Sequence, residues 1–174
     1  MTPLGKLSIL GGIAAIWGYT KNRRVGAEVA VGNCASANTE LRAHNLSPAH
    51  LLRTCLYGPA IEEVLYRSTL NRSLSTLAGG NPLLGTLLGS LSFGMAHHRP
   101  LGALPDGVNN AALAVDAFAG GLLFSAAYVL GGLPAAIACH GLHNLACEIG
   151  FVNGVASTKP VLRLPAPKAR PPLP

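Results

Sequence analysis

The 174 residues suffice for one domain core and leave little room for a second. Hydrophobic residues make up 49% and charged residues only 11%, under half of the soluble average of about 25%, which excludes an ordinary soluble domain and points to helices packed in a bilayer. The net charge of +6 does not signal a nucleic-acid partner: the basic residues are not interleaved with aromatics, and they gather at Lys21, Arg23 and Arg24 and at Lys159, Arg163, Lys168 and Arg170, beside apolar segments where they set topology.

The first apolar run, residues 4–19, ends at this basic cluster and is short for a span that needs about 20 residues. No small-x-small cleavage site precedes the cluster, so residues 1–24 read as an uncleaved signal anchor or membrane segment. Residues 25–47 are polar and punctuated by Asn and Ser, as in a connector. From Pro48 the pattern becomes helical as far as Leu70, with a kink expected at Gly58-Pro59.

Three more apolar stretches follow, 82–97, 108–130 and 133–152, the last two joined by a turn at Gly131, Gly132 and Pro134. Residues 156–174 are basic and proline-rich, the composition of an extended, disordered tail. The expected fold is therefore an all-α, polytopic transmembrane bundle of about five spans, with the working core in the last four, residues 48–155. With both basic clusters kept inside, the amino terminus lies outside and the carboxyl terminus in the cytoplasm. The cysteines, Cys34, Cys55, Cys139 and Cys147, show no CxxC spacing and support neither a disulfide framework nor a metal knuckle.

Against this apolar background the stretch AIEEVLYR stands out, with Glu62, Glu63 and Arg67 in six residues. Positions four apart share a helix face, so Glu63 is placed to pair with Arg67, while Glu62 points about 100° away and is left over. A leftover carboxylate in an apolar helix calls for a partner from another helix, for proton uptake or for a water-filled cavity; the plain alternative is a solvated helix end at the membrane surface.

Two further groups lie on later helices. In SFGMAHH, Phe93 and His97 are four apart, so the ring can fix the imidazole, with His98 facing elsewhere. In CHGLHN, His140 and Asn144 share a face, with His143 close by. Each taken alone fits an interfacial histidine or a polar helix contact equally well. Together, a carboxylate, two imidazoles and an amide that packing can bring into one pocket are the parts of a hydrolytic site, with a base for water, metal ligands or an oxyanion donor.

The order EExxxR, FxxxH and HxxxN, here Glu62 to Arg67, Phe93 to His97 and His140 to Asn144, resembles the CPBP family: the CAAX prenyl endopeptidases and the bacteriocin-processing and immunity proteins of the abortive-infection type. The resemblance spans residues 48–152 and implies an integral membrane peptidase of a prokaryotic cell (inner) membrane. By that likeness Glu62 and His97 activate the attacking water, while His140 and Asn144 bind metal or support the oxyanion, Asn144 in the latter role. Glu63, Arg67 and Phe93 would support them.

The resemblance leaves open whether zinc takes part. Its ligands would be Glu62, His97 and His140, and HExxH spacing is absent. The implied substrate is a membrane-associated or prenylated peptide or protein, and the implied surroundings are the lipid bilayer, without nucleic acid; the oligomeric state is not readable. Two other readings stand beside the peptidase. One is a non-catalytic immunity or sorting protein on the same scaffold, and the other a small transporter or proton relay, for which Asp116 is the one intramembrane ionisable residue of 108–130.

Overall fold

A computed structural model describes residues 2–30, 46–98 and 110–157. Among these residues 93% are helical and none lies in a strand, so the class is all-α. The first helix, α1 (Pro3–Ala30), is longer than the apolar run alone suggested, at 28 residues. It continues through Lys21 to Arg24 on an unbroken backbone, with Arg23 and Arg24 exposed and Arg24 closing on Glu28 one turn later at 2.9 Å. The polar connector expected from residue 25 thus begins in a helix; its residues 31–45, and the tail from 158, lie outside the described residues.

A second helical run starts at α2 (Pro48–Leu52), where the Ser47 side chain accepts the His50 N–H and Pro48 occupies the first turn. It passes through a π-helical segment, Arg53–Tyr57, then α3 (Gly58–Glu63), a second π-helical segment, Val64–Leu70, and α4 (Asn71–Leu77), without interruption. At Gly58-Pro59, where the sequence predicts a kink, the helical run does not end. The wider π turn absorbs the proline instead: Gly58 N–H bonds back to the Arg53 carbonyl, five residues earlier.

After Gly79 and Gly80, both at positive φ (69° and 83°), α5 (Pro82–Ala96) begins under an Asn81 cap that accepts from Leu83 and Leu84 N–H. The last element, α6 (Asn110–Ser157), is broken at Gly131 and Gly132, the latter at φ 71°. Phe124 and His140 stack with ring centroids 4.2 Å apart, although a straight helix would separate residues sixteen apart by about 24 Å. The arms 110–130 and 133–157 therefore fold back on each other about the glycine pair, as the Gly-Gly-x-Pro sequence suggested, and Pro134 lies in the first turn of the second arm, where its missing N–H is least felt.

Packing is by small residues. Ala14, Phe124, Ala127 and Cys139 form the core, backed by Leu7, Leu10 and Leu123. Helix α1 runs beside the second arm so closely that a Cβ on Gly150 or Gly154 would overlap the carbonyl oxygen of Tyr19 or Arg23. An ion pair between Lys21 and Asp116 ties α1 to the first arm.

Large apolar side chains such as Ile16, Leu84, Leu91 and Val129 point outward instead. Among the described residues α6 is the one helix long and apolar enough to cross a bilayer, with mean hydropathy 1.9 and only 28% of its most apolar window buried by protein; α5 is a shorter apolar helix. An apolar exterior of this kind suits a lipid surrounding.

Candidate active site

The centre of the site is an imidazole held between two carboxylates. Glu63 at the end of α3 is fully buried, and its Oε1 lies 2.8 Å from Nδ1 of His140 on the second arm of α6. On the opposite edge of the ring, His140 Nε2 lies 3.8 Å from Oε2 of Glu62, whose side chain is 37% exposed. Glu63 alone is within hydrogen-bond length; two polar atoms at the Glu62 distance are too far for a direct bond and close enough to share one water at about 2.8 Å from each. Adjacent residues on one helix thus divide into a buried carboxylate that fixes the ring and an accessible one that faces its other nitrogen.

Behind Glu63 stands Arg67, one turn on and also fully buried. Its Nε is 3.1 Å from Glu63 Oε2, but the N–H is not aligned on the oxygen, so the two form an ion contact without a hydrogen bond. Three rings surround the guanidinium, with Phe93, Tyr66 and Phe124 centroids at 5.1, 5.9 and 6.0 Å. Glu63 therefore serves two partners, Arg67 and His140, where spacing alone assigned it one.

Aromatic rings also set the imidazole planes. Phe124 stacks flat on His140, and Phe93 meets the same ring edge-on at 6.0 Å. Phe93 packs against His97 on its other side at 4.5 Å, and His97 Nδ1 lies 2.7 Å from the Phe93 carbonyl at the exposed end of α5. The imidazole next to Glu62 is thus His140, while His97 is linked to this centre through Phe93.

Asn144 lies one turn beyond His140, and its Nδ2 donates to the Thr54 carbonyl at 2.8 Å. That carbonyl is open for a local reason: Gly58 N–H bonds to Arg53, and the next donor along, residue 59, is a proline without an N–H. Alongside, Gly141 lets the second arm press on the Cys55 carbonyl, where a Cβ would overlap the oxygen. The Gly58-Pro59 pair hence acts as a docking point for the helix that carries His140 and Asn144.

The ladder continues to a pair that sequence reasoning missed. His50 Nε2 lies 3.0 Å from Glu148 Oε1, both largely buried. The signal was present in the spacing, since His140, Asn144 and Glu148 recur at intervals of four on one arm, as do His50 and Thr54 on the opposing run.

Other candidates are engaged elsewhere. His143 turns toward α1, with Nδ1 at 2.9 Å from the Ala14 carbonyl and the ring 5.1 Å from Trp17. Asp116 is paired with Lys21. Among the described residues no three His, Cys, Asp or Glu side chains are gathered as a metal-binding set. Glu62, His97 and His140 are not gathered as one donor set in this arrangement, because Phe93 packs between the two imidazoles, although each histidine keeps Nε2 free while Nδ1 is engaged.

A family model described as type II CAAX prenyl endopeptidase Rce1-like matches residues 44–146, more than half of the chain and all of the stretch from Glu62 to Asn144. Neither the curated proteins nor the solved structures yield a match.

Proposed function

The chain belongs to the type II CAAX prenyl endopeptidase Rce1-like family, a family of membrane proteases, and on that premise we propose that it is an intramembrane endopeptidase with Glu62 as the general base. The carrying observation is the placement of His140, 2.8 Å from the buried Glu63 and 3.8 Å from the accessible Glu62. With Nδ1–H directed at Glu63, the Nε2 lone pair faces Glu62, and a water between the two is polarised from both sides. Its oxygen adds to the peptide carbonyl as its proton passes to Glu62; the same proton then reaches the leaving amine as the C–N bond breaks.

The developing oxyanion needs a donor, and Asn144 keeps one amide N–H after its bond to Thr54. His97, exposed at the end of α5, is placed to meet substrate rather than water. The substrate is a peptide bond of a membrane-associated protein or peptide, prenylated or not, met in a bilayer that α1, the run 48–77, α5 and the two arms of α6 cross as five spans, with the amino terminus outside and the carboxyl terminus in the cytoplasm.

The test is cleavage by the purified protein in lipid nanodiscs, read by mass spectrometry. Farnesylated and unmodified peptides ending in Cys-aliphatic-aliphatic-X are compared with an apolar membrane-spanning peptide. Hydrolysis of any one that disappears in Glu62→Gln supports the reading. Absence of hydrolysis of all three, with the protein folded, counts against it in favour of a binding scaffold.

A further inference from the structure

Six buried polar atoms have no hydrogen-bond partner among the described residues: Glu63 Oε2, the Nε, Nη1 and Nη2 of Arg67, Asn71 Oδ1 and Ser90 Oγ. Glu63 Oε2 and Arg67 Nε at least face each other in the ion contact at 3.1 Å, but buried polar groups are almost always bonded, so the other four need a reason. They are not scattered. Glu63, Arg67 and Asn71 follow one another at intervals of four along one side of the second helical run, and Asn71 Nδ2 reaches Ser125 Oγ on the first arm at 3.3 Å. Ser90 on α5 lies against Gly121, whose carbonyl accepts from Ser125. Phe93 and Phe124, which contact the Arg67 guanidinium, are on the same two helices as Ser90 and Ser125.

The Ser90 hydroxyl is informative because helical serines and threonines usually bond back one turn. Ser92, Ser125 and Thr54 do so, at 3.0, 2.8 and 2.9 Å to Leu88, Gly121 and His50. Ser90 does not, although the Thr86 carbonyl stands one turn before it.

The chemistry of the orphaned atoms selects their partner. Arg67 offers donors only, Asn71 Oδ1 and Glu63 Oε2 accept only, and Ser90 does both. An anion would oppose the Glu63 carboxylate and the Asn71 oxygen, and a cation would oppose Arg67. A neutral molecule that donates and accepts in turn satisfies all of them, and that molecule is water.

We propose that Arg67, Asn71 and Ser90 line an internal hydration site, a short chain of bound waters behind the His140 cluster that resupplies the water consumed between Glu62 and His140. The resupply role rests on the peptidase reading; the hydration site does not.

Radiolytic hydroxyl-radical labelling of the full chain in nanodiscs tests both. Radicals formed from bound water oxidise adjacent rings, and Phe93, Phe124 and Phe151 are equally buried, at 2%, 2% and 1% exposure. Phe151 packs against α1 at Gly26, away from the orphaned atoms, and serves as the internal reference. Phe93 and Phe124 are expected to label at least tenfold faster than Phe151; equal rates for all three overturn the hydration site, whatever the cleavage assay gives. Glu62→Gln should keep the labelling while losing cleavage, so failure of the peptidase reading leaves a separate trace.

For resupply, Asn71→Leu and the milder Ser90→Ala are each expected to slow Phe93 labelling at least threefold and to lower kcat in step at unchanged KM. Reduced labelling at unchanged kcat overturns the resupply role. Unchanged labelling in both variants removes those residues from the site.

Discussion

Glu63 Oε1 lies 2.8 Å from Nδ1 of His140, so the fully buried carboxylate of the EE pair, rather than its accessible neighbour, fixes the imidazole. It does this while contacting Arg67, and the ion pair and the histidine are therefore coupled through one side chain.

That coupling predicts a double-mutant result. Glu63→Gln strands the Arg67 charge and Arg67→Met strands Glu63, and each single change should destabilise by about 3–5 kcal/mol, as breaking a buried pair does. The double variant should lose less than the sum, by at least about 1 kcal/mol, in thermal unfolding of detergent-solubilised protein, while cleavage stays low because a neutral amide replaces the carboxylate charge beside His140. Additive losses would show that the two residues do not act as a pair.

The Thr54 carbonyl gives a second prediction. Asn144→Ala removes its donor and leaves a part-buried carbonyl unpaired, at a cost of about 1 kcal/mol. Pro59→Ala in that background returns an N–H to the run and should recover part of the lost stability. If Pro59→Ala adds to the damage instead, the proline does not open this carbonyl.

Gly141 sets the spacing between the run that carries Glu62 and the arm that carries His140. In Gly141→Ala the new methyl meets the Cys55 carbonyl, and backbone must move. A shift of that size misplaces the two side chains, and kcat is expected to fall about 100-fold in a protein that still folds. A rate within a fewfold of the parent would mean that the site tolerates the displacement.

Chelation supplies a fourth test. With His97 set apart from Glu62 and His140 by the Phe93 ring, cleavage should survive treatment with a strong chelator, with no zinc in the active fraction by elemental analysis. Loss of cleavage that added zinc restores would show that a metal is held by Glu62 and the Nε2 atoms that both histidines leave free.

Much of this was legible in the chain. Low charge and three apolar runs gave an all-helical membrane fold, the Gly-Gly-x-Pro sequence marked the turn of the hairpin, and three motifs on separate helices carried the family. Intervals of four placed Glu63 beside Arg67 and His140 with Asn144, because helix geometry alone decides those faces. Packing between helices decided the rest. Spacing could not say that His140 rather than His97 stands next to Glu62, or that His143, only three residues on, turns to Ala14 of α1. Nor could it show that the run from Pro48 continues through Gly58-Pro59 by way of a π-helical turn, in which Gly58 N–H bonds back to Arg53. The extension of α1 to Ala30 was hidden for another reason: a polar stretch such as Lys21 to Arg24 ends an apolar run without ending the helix that carries it.

The most direct test of the site is the single-turnover cleavage rate of Glu62→Gln against the parent protein in nanodiscs, on whichever peptide the parent hydrolyses. The amide keeps the size of the side chain and removes its basicity, and Glu62 lies partly exposed, so the fold should be unaffected. A fall of about 100-fold or more, with unfolding temperature and peptide binding unchanged, is the predicted result. A rate within twofold of the parent would contradict the assignment of Glu62 as the base.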